Sequence, residues 1–334
     1  MQSEFEFIKR LRSRAGAAAG VIAGIGDDAA VLAPRAGWEL LVTADLLVED
    51  VHFRREYSPP RWLGHKSLAV SLSDIAGMGG RPRYALLSLA ATRATGDAFW
   101  EEFFAGYFAL AARSGVTLVG GDTSAAPDRV TIDSIVLGEV EAGLSVRRGG
   151  ARPGDAVYIT GELGRSAAGL RLLAGGARAR EGVEDAEQRA LRAHLRPEPR
   201  LEFGAEVGAR GLARAMLDVS DGLAQDLGHI CEESGVGAVI DFEALPVAAE
   251  ARLPGEDAFG LALGGGEDYE LLLAAGREAE GELKEIGRAC GLPVARIGEI
   301  VARNGGSALR LRRAGEVLPL EPRGYDHFAA RPID

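Results

Sequence analysis

The chain has 334 residues, enough for two domains, and 47% of them are hydrophobic, which suffices for a core in each. Its 49 acidic residues outnumber its 38 basic ones, and the net charge of −11 argues against a protein that grips a nucleic acid backbone. Glycine is about twice as frequent as usual, without a repeating period, which indicates many tight turns or backbone close to ligands.

Strand and helix patterns alternate in the first half of the chain. Apolar runs predict strands over 38–44, 85–91, 116–121 and 129–140. Apolar residues at helical spacing predict helices over 61–78 and 97–115, with Asp97 as the N-cap of the second.

A turn-rich, charged segment at 145–155 is the best candidate for a linker. Beyond it, the patterns predict strands over 156–161, 214–218, 237–242, 269–274 and 294–301. They predict helices over 164–174, 199–210 and 221–234. We therefore expect an α+β chain of two α/β domains, over residues 1–143 and 144–334.

The two cysteines, Cys231 and Cys290, form no CxxC pair and no zinc pattern, which favours a reducing compartment. Residues 1–14 lack the apolar core of a signal peptide, and no run of about 18 apolar residues predicts a membrane span. The sequence thus predicts a cytoplasmic protein with neither nucleic acid nor membrane as a partner.

Aspartates recur in one context, beside glycine or small residues and often where an apolar strand ends. These are Asp27, Asp28, Asp45, Asp74, Asp122, Asp218 and Asp221. Singly, each has an ordinary explanation, such as a solvated turn in GIGDD or a helix start in SDG. Converging carboxylates, however, need a shared cation or protons, and oxygen ligands without a His/Cys pattern favour Mg²⁺ or Ca²⁺ over zinc.

Two further features bear on the chemistry. Asp74 lies in an otherwise apolar helix, where a carboxylate is unfavourable unless it is paired or bound to metal. The common nucleotide scaffolds are missing, because the sequence has no Gly-Lys pair for a Walker A loop and no HRD or DFG motif. GIGDDA fits the dinucleotide fingerprint GxGxxA weakly, since Asp27 and Asp28 stand where a pyrophosphate would lie.

In order, the motifs are GIGDD, TADLLVEDVHF, KSLAVSLSDIAGMG, GGDT, SDG, GGEDYEL and GYDHF. As a set they resemble the thiamine-monophosphate kinase family, within the aminoimidazole-ribonucleotide-synthetase superfamily, over nearly the whole chain. The resemblance implies ATP-dependent phosphorylation of thiamine monophosphate to thiamine diphosphate, by direct in-line transfer with several Mg²⁺ ions. It also implies a homodimer paired through N-terminal domains with a mixed β-sheet, and an ATP site between the two domains.

Carried over to matching positions, the resemblance also implies three groups of site residues. The metal ligands would be Asp28, Thr43, Asp45, Asp74, Asp122, Asp218 and Asp221. ATP would be bordered by Gly121, Asp122, Ser220 and Arg148, with the adjacent Arg147 as the alternative to Arg148. Thiamine monophosphate would be bordered by His52, Glu267 and Tyr325. Family members often carry a hydroxyl residue where this chain has Ala44, so only the backbone carbonyl offers a metal contact there.

Several alternatives remain to be distinguished. A selenophosphate synthetase would show a reactive cysteine near its N-terminus, and residues 1–44 contain none. A hydrogenase-maturation dehydratase would end in cysteine, whereas this sequence ends RPID, and GGEDYEL with GYDHF argues against a purine-synthesis ligase. A non-catalytic regulator that binds nucleotide or thiamine would have no need of so many carboxylates, and a structural Ca²⁺ protein would show an EF-hand loop.

Overall fold

The computed structural model describes residues 11–15, 18–25, 30–252, 257–303, 307–321 and 324–325. Up to residue 145 the elements are β1 (Val21–Ala23), β2 (Val31–Leu32), β3 (Trp38–Val48), α1 (Pro60–Gly77), β4 (Arg81–Thr92), α2 (Asp97–Ser114), β5 (Thr117–Ala126) and β6 (Thr131–Glu141). They continue with β7 (Ala156–Thr160), α3 (Arg165–Ala174), α4 (Ala186–Leu195), α5 (Leu201–Ala209), β8 (Ala215–Asp218), α6 (Leu223–Ser234) and β9 (Gly237–Asp241). The last are α7 (Ala258–Gly264), β10 (Leu271–Ala275), α8 (Glu280–Ala289), β11 (Val294–Val301), β12 (Leu309–Arg313) and β13 (Glu316–Pro319).

The chain divides into two compact units. The first comprises Met1–Ser145 together with Leu195–Ala209, and the second comprises Val146–His194 and Arg210–Asp334. This confirms the expected mixture of helices and strands in two domains. No sequence pattern predicted that Leu195–Ala209 returns to the first unit, and the functional division at 143/144 stays a prediction.

The first unit is built on a mixed four-stranded sheet in the order β3-β6-β4-β5. β4 and β5 run parallel, while β6 is antiparallel to both β3 and β4. Side chains on a strand alternate between the two faces, so β3 presents one set of residues to the helices and the other set to the outside. The observed strand ends at Val48 and so extends four residues beyond the predicted end at residue 44.

The core of the first unit lies between this sheet and helices α1 and α2. Its buried members include Leu68, Leu72, Ile75, Phe103, Tyr107 and Val136. α1 is buried on almost every side, because α2, α5 and the strands β3 and β6 all pack against it. Asp74 is one of the few α1 residues that are only half-buried, so its carboxylate reaches solvent from an otherwise buried, apolar helix.

The second unit contains a seven-stranded sheet in the order β13-β12-β9-β11-β7-β10-β8. Its neighbouring strands are antiparallel except for β9 and β12. The core includes Ile159, Leu217, Leu227, Ile230, Ile240 and Leu272. Within the described part of the chain, no helix combines the length and apolar character that crossing a membrane requires.

Candidate active site

The first unit brings Thr43, Asp45 and Asp74 together. Thr43 and Asp45 alternate along β3 with the exposed Val42 and Leu46, so both face the side of the sheet that α1 covers. Thr43 Oγ1 donates a hydrogen bond to Asp74 Oδ2 on α1. Three of the predicted metal ligands are thereby neighbours, although no pattern in the sequence placed the strand against that helix.

Ser71 belongs to the same group and was missed by the sequence interpretation. Its hydroxyl oxygen lies 2.7 Å from Asp45 Oδ2 and 2.8 Å from the carbonyl oxygen of Ser134 on β6. The available signal was its position three residues before Asp74, a spacing that places two side chains on one face of a helix. Ser71 ties the orientation of Asp45 to the backbone of the sheet.

The electrostatics of this group fit a cation. Burial raises the pKa of Asp45 to about 7, the negative charge of Asp74 adds to the rise, and the hydrogen bond from Ser71 opposes it. The side chains offer only oxygen atoms, the donors that Mg²⁺ prefers, and a bound cation would favour the ionised carboxylates that the bare site disfavours. The residues present therefore fit Mg²⁺.

Gly121 and Asp122 lie on β5, at the opposite edge of the sheet from β3. The register aligns Gly121 with Leu87, Leu87 with Ser134 and Ser134 with Asp45. With three strand spacings of about 4.8 Å, this row separates Gly121 from Asp45 by roughly 14 Å along the sheet. Gly121 has a φ of 148°, and a Cβ there would overlap the Leu87 carbonyl oxygen, so this position needs glycine.

Two other predicted residues of the N-terminal half are placed differently. His52 lies in the loop after β3, where its Nδ1 accepts a hydrogen bond of 3.0 Å from the Val48 N–H. An accepting Nδ1 leaves Nε2 as the protonated nitrogen of the neutral ring. Asp27 and Asp28 of the GIGDD motif lie outside the described residues.

In the second unit, the predicted residues Asp218, Ser220 and Asp221 lie at the end of strand β8 and in the loop after it. Asp218 is the buried last residue of that strand. The predicted helix start at residue 221 is wrong by two residues, because α6 begins at Leu223, with Gly222 and not Ser220 as the N-cap. The N–H groups of Ser220, Asp221 and Gly222 instead each donate a 3.1 Å hydrogen bond to Asp226 Oδ2.

Asp226 and His229, both missed from the sequence, lie beside Asp221. One ligand atom from each of the three residues falls within 4.8 Å of the others. Burial raises the pKa of Asp226 to about 7, and the charge of Asp221 adds to the rise, whereas the backbone hydrogen bonds and the charge of Arg148 oppose it. The spacing of Asp226 and His229 by three residues on one helix was the signal available in the sequence.

The two adjacent arginines differ in their surroundings. The positive charge of Arg148 lowers the pKa of Asp226, although burial and the charge of Asp221 raise it. The backbone carbonyl of Arg147 accepts a 3.0 Å hydrogen bond from Met216 N on β8. Both side chains are exposed. The choice of Arg148 over Arg147 as the cation near Ser220 and Asp221 stays a prediction.

Glu267 and Tyr325 are attached to the same loop through their backbones. The Glu267 N–H donates to the Ser220 carbonyl at 2.8 Å, and the Tyr325 N–H donates to the Asp221 carbonyl at 3.1 Å. Glu267 adopts a left-handed φ of 63°, and its Oε2 lies 3.0 Å from Nδ1 of the buried His194. Two of the three residues predicted to border thiamine monophosphate thus adjoin Ser220, predicted to meet ATP, and Asp221, a predicted metal ligand.

Asp268, next to Glu267, has a different environment. Its carboxylate accepts the N–H groups of Gly164 at 2.6 Å and Ser166 at 3.0 Å, at the start of α3. Burial raises the pKa of Asp268 to about 7, against these two hydrogen bonds. Asp268 therefore anchors the N-terminus of α3, whereas the carboxylate of Glu267 lies beside His194.

Models of known families match most of the chain. The N-terminal domain of AIR synthase related proteins matches residues 26–140, and the C-terminal domain of the same family matches residues 152–309. A thiamine-monophosphate kinase from Bacillus subtilis is 36% identical over 325 residues, which is 97% of this chain and 99% of the relative.

Solved structures agree with the sequence relatives. A crystal structure of thiamine-monophosphate kinase from Stenotrophomonas maltophilia is 38% identical and superposes with a TM-score of 0.83, covering 94% of this chain and 97% of that one. AaThiL complexed with AMPPCP and TMP is 31% identical, with a TM-score of 0.76 and 97% of each chain covered. From these matches, the chain belongs to the AIR synthase related family and, within it, to the thiamine-monophosphate kinases.

Proposed function

We propose that this chain transfers the γ-phosphoryl group of ATP directly, in line, to the phosphate of thiamine monophosphate, with several Mg²⁺ ions. ATP-dependent phosphorylation of thiamine monophosphate accords with its place among the kinases of that name. The observation that carries the metal part is the half-buried group of Thr43, Asp45 and Asp74, whose side chains offer only oxygen atoms and in which the pKa of Asp45 is raised to about 7. Such a group is more stable with a cation than without one.

The proposed metal ligands are six carboxylates and one hydroxyl group. They are Asp28, Thr43, Asp45, Asp74 and Asp122 from the first unit, and Asp218 and Asp221 from the second. When bound, Mg²⁺ would neutralise the charge of the phosphates and hold donor and acceptor in alignment. The protein's contribution is to fix the carboxylates, and the contacts of Thr43 with Asp74 and of Ser71 with Asp45 serve this purpose.

The two substrates are assigned to different side chains. For ATP we propose Gly121 and Asp122 on β5, with Ser220 and Arg148 on the phosphates. Gly121 suits this role because it is exposed on β5, so that its backbone is open to a ligand. Arg148 adds a positive charge on the side of the loop that carries Ser220.

For thiamine monophosphate we propose His52, Glu267 and Tyr325. No side chain is assigned as a general base, because the acceptor is a phosphate oxygen that is already ionised near neutral pH. Phosphoryl transfer of this kind depends on positioning and charge neutralisation rather than on covalent or proton-transfer chemistry. The role of the protein is to bind both substrates in register and to exclude water from the transferred group.

A coupled assay of ADP release tests the proposal. Purified protein should release ADP with thiamine monophosphate and ATP, and much less with thiamine or with other phosphate monoesters as acceptors. Addition of EDTA should abolish the reaction, and Mg²⁺ should restore it. Turnover that persists in EDTA would refute the metal mechanism, whereas turnover with a different acceptor would refute the substrate assignment.

We also propose that the chain forms a homodimer through the outer face of the first unit's sheet. On β3, the side chains of Leu40, Val42 and Leu46 are 59%, 63% and 54% exposed. They alternate along an edge strand and so line one face. Contiguous apolar side chains on the outside of a sheet are typical of a protein interface, and an isologous pairing would bury the same face on both copies.

Light scattering coupled to size-exclusion chromatography tests the dimer. The mass should be twice 35.0 kDa for the wild-type protein and should fall in the variant Val42→Lys. Replacement of the exposed Val317 of the second unit by Lys is the matched control and should leave the mass unchanged. A cytoplasmic location, which fits the free thiols of Cys231 and Cys290, is likewise a proposal that cell fractionation would check.

A further inference from the structure

The loop of residues 219–222 is held from the helix side by one carboxylate. Asp226 Oδ2 accepts three N–H groups in succession, from Ser220, Asp221 and Gly222, each at 3.1 Å. Asp226 is only 3% exposed, and no side chain caps α6 at Gly222. The first N–H groups of a helix and of the turn before it need an acceptor, and here Asp226 supplies it for three of them.

The carbonyl groups of the same loop point the other way and hold two further segments. The Val219 carbonyl accepts the Tyr269 N–H at 2.9 Å, beside the Ser220 contact with Glu267 and the Asp221 contact with Tyr325. The backbone of Gly266 lies close to the loop 219–222, since a Cβ on Gly266 would be 2.5 Å from the Ser220 carbonyl oxygen. A displacement of the loop 219–222 would therefore also displace the segments that contain Glu267 and Tyr325.

We infer that Asp226 is a positioning residue for both substrates, acting through the loop 219–222. The inference rests on the proposed function, because it uses Ser220 and Asp221 as the nucleotide and metal side and Glu267 and Tyr325 as the thiamine-phosphate side. Asp226 touches neither substrate in this scheme. Asp226 fixes the position of the loop 219–222, which carries the nucleotide-side residues and is hydrogen-bonded to the thiamine-phosphate-side residues. The distance between donor and acceptor phosphates then depends on this one carboxylate.

A different role for Asp226 is that of a metal ligand, since it lies within 4.8 Å of Asp221 and His229. The two roles predict opposite orders for two conservative variants. Asp226→Asn keeps an oxygen that accepts the three N–H groups but removes the negative charge. Asp226→Glu keeps the charge but moves the carboxylate by one methylene and so displaces the loop. A positioning residue tolerates Asn better than Glu, and a charged ligand tolerates Glu better than Asn.

The test measures KM for each substrate, with Asp155 as the matched control. Asp155 is also a buried aspartate of the second unit that accepts a backbone N–H, from Arg152 at 2.8 Å, and it is not among the predicted site residues. We expect Asp226→Glu to raise KM for both ATP and thiamine monophosphate roughly tenfold or more, and Asp226→Asn to change either by less than about threefold. Asn and Glu at position 155 should lower the melting temperature without changing either KM.

A rise in KM for only one substrate, or a larger loss in Asn than in Glu together with a higher Mg²⁺ requirement, would overturn the inference. Amide hydrogen exchange separates this outcome from a failure of the proposed function. The loop 219–222 should exchange faster in Asp226→Glu than in wild type or Asp226→Asn, whatever the substrate turns out to be. Unchanged exchange in Asp226→Glu would refute the claim that Asp226 holds the loop 219–222. Lack of kinase activity in the wild type would refute only the proposed function, and not this structural role.

Discussion

Replacing Asp74 by Asn should separate activity from stability. The pKa of Asp45 rises from 3.8 to about 7, and at about 1.4 kcal/mol per unit this corresponds to about 4 kcal/mol against ionisation. Burial is the largest cause and the charge of Asp74 the second, so we assign Asp74 a share of about 1–2 kcal/mol. Asn removes that charge and still offers an oxygen to the hydroxyl of Thr43.

Without Mg²⁺ at pH 8, the free energy of unfolding of Asp74→Asn should therefore exceed that of the wild type by about 1–2 kcal/mol. At about 2–4 °C per kcal/mol, the melting temperature should rise by roughly 2–8 °C. A carboxyl group whose pKa is raised in the folded state stabilises the fold only while it is protonated, so the difference should fade as the pH is lowered from 7 towards 4. Kinase activity should meanwhile fall by about a hundredfold or more.

Differential scanning calorimetry with and without Mg²⁺, together with the ADP-release assay, checks these expectations. Mg²⁺ should stabilise the wild type and have a much smaller effect on Asp74→Asn. Asp133→Asn is the control, because the charge of Asp133 makes only a minor contribution to the pKa of Asp45 and Asp133 is not among the proposed ligands. Full activity in Asp74→Asn, or a lower melting temperature in metal-free buffer, would refute the reasoning.

Three other predictions address the substrate side, the pH response and the dimer. Glu267→Gln should raise KM for thiamine monophosphate about tenfold and leave KM for ATP within about twofold, and the reverse pattern would exchange the two sites. Burial lowers the pKa of His65 from 6.5 to about 4, so stability should be lost as the pH falls through this interval, by up to about 3 kcal/mol. In His65→Gln the loss on acid denaturation should be smaller, and an identical pH profile would contradict the assignment. Leu46→Glu should lower the oligomeric mass without lowering the melting temperature, since Leu46 is exposed within the protomer, and an unchanged mass would rule out this face.

The elements that carry the site were largely predictable from local patterns. The strand before Asp45, the helix around Asp74 and the strand before Asp218 all appear where apolar periodicity placed them. α4 and α8 were missed because each has only ten residues, many of them charged. Periodicity detects an apolar face, and a short helix presents few apolar residues from which a period can be recognised.

The partners of the site residues were not predictable in the same way. Asp226 resembles any polar residue of an amphipathic helix until the loop before it turns back over its carboxylate. Ser71 has the same ambiguity in α1, since its contact with Asp45 requires the strand to be paired with β6 and covered by that helix. These contacts join residues that are brought together only by the fold, and local patterns in a single sequence do not predict them.

The return of Leu195–Ala209 to the first unit affects how that unit folds during synthesis of the chain. His65 Nε2 donates to the Pro197 carbonyl at 2.7 Å, and α5 packs on α1, so the first unit acquires its last helix from beyond residue 194. The ribosome must add 209 − 145 = 64 further residues before that helix is complete, which takes roughly 3–13 s at about 5–20 residues per second. During this interval β7, α3 and α4 are synthesised while the first unit still lacks α5, one of the elements that pack on α1. Nascent chains stalled before residue 195 should therefore hold an incompletely protected first unit, the stage at which a chaperone has most to bind.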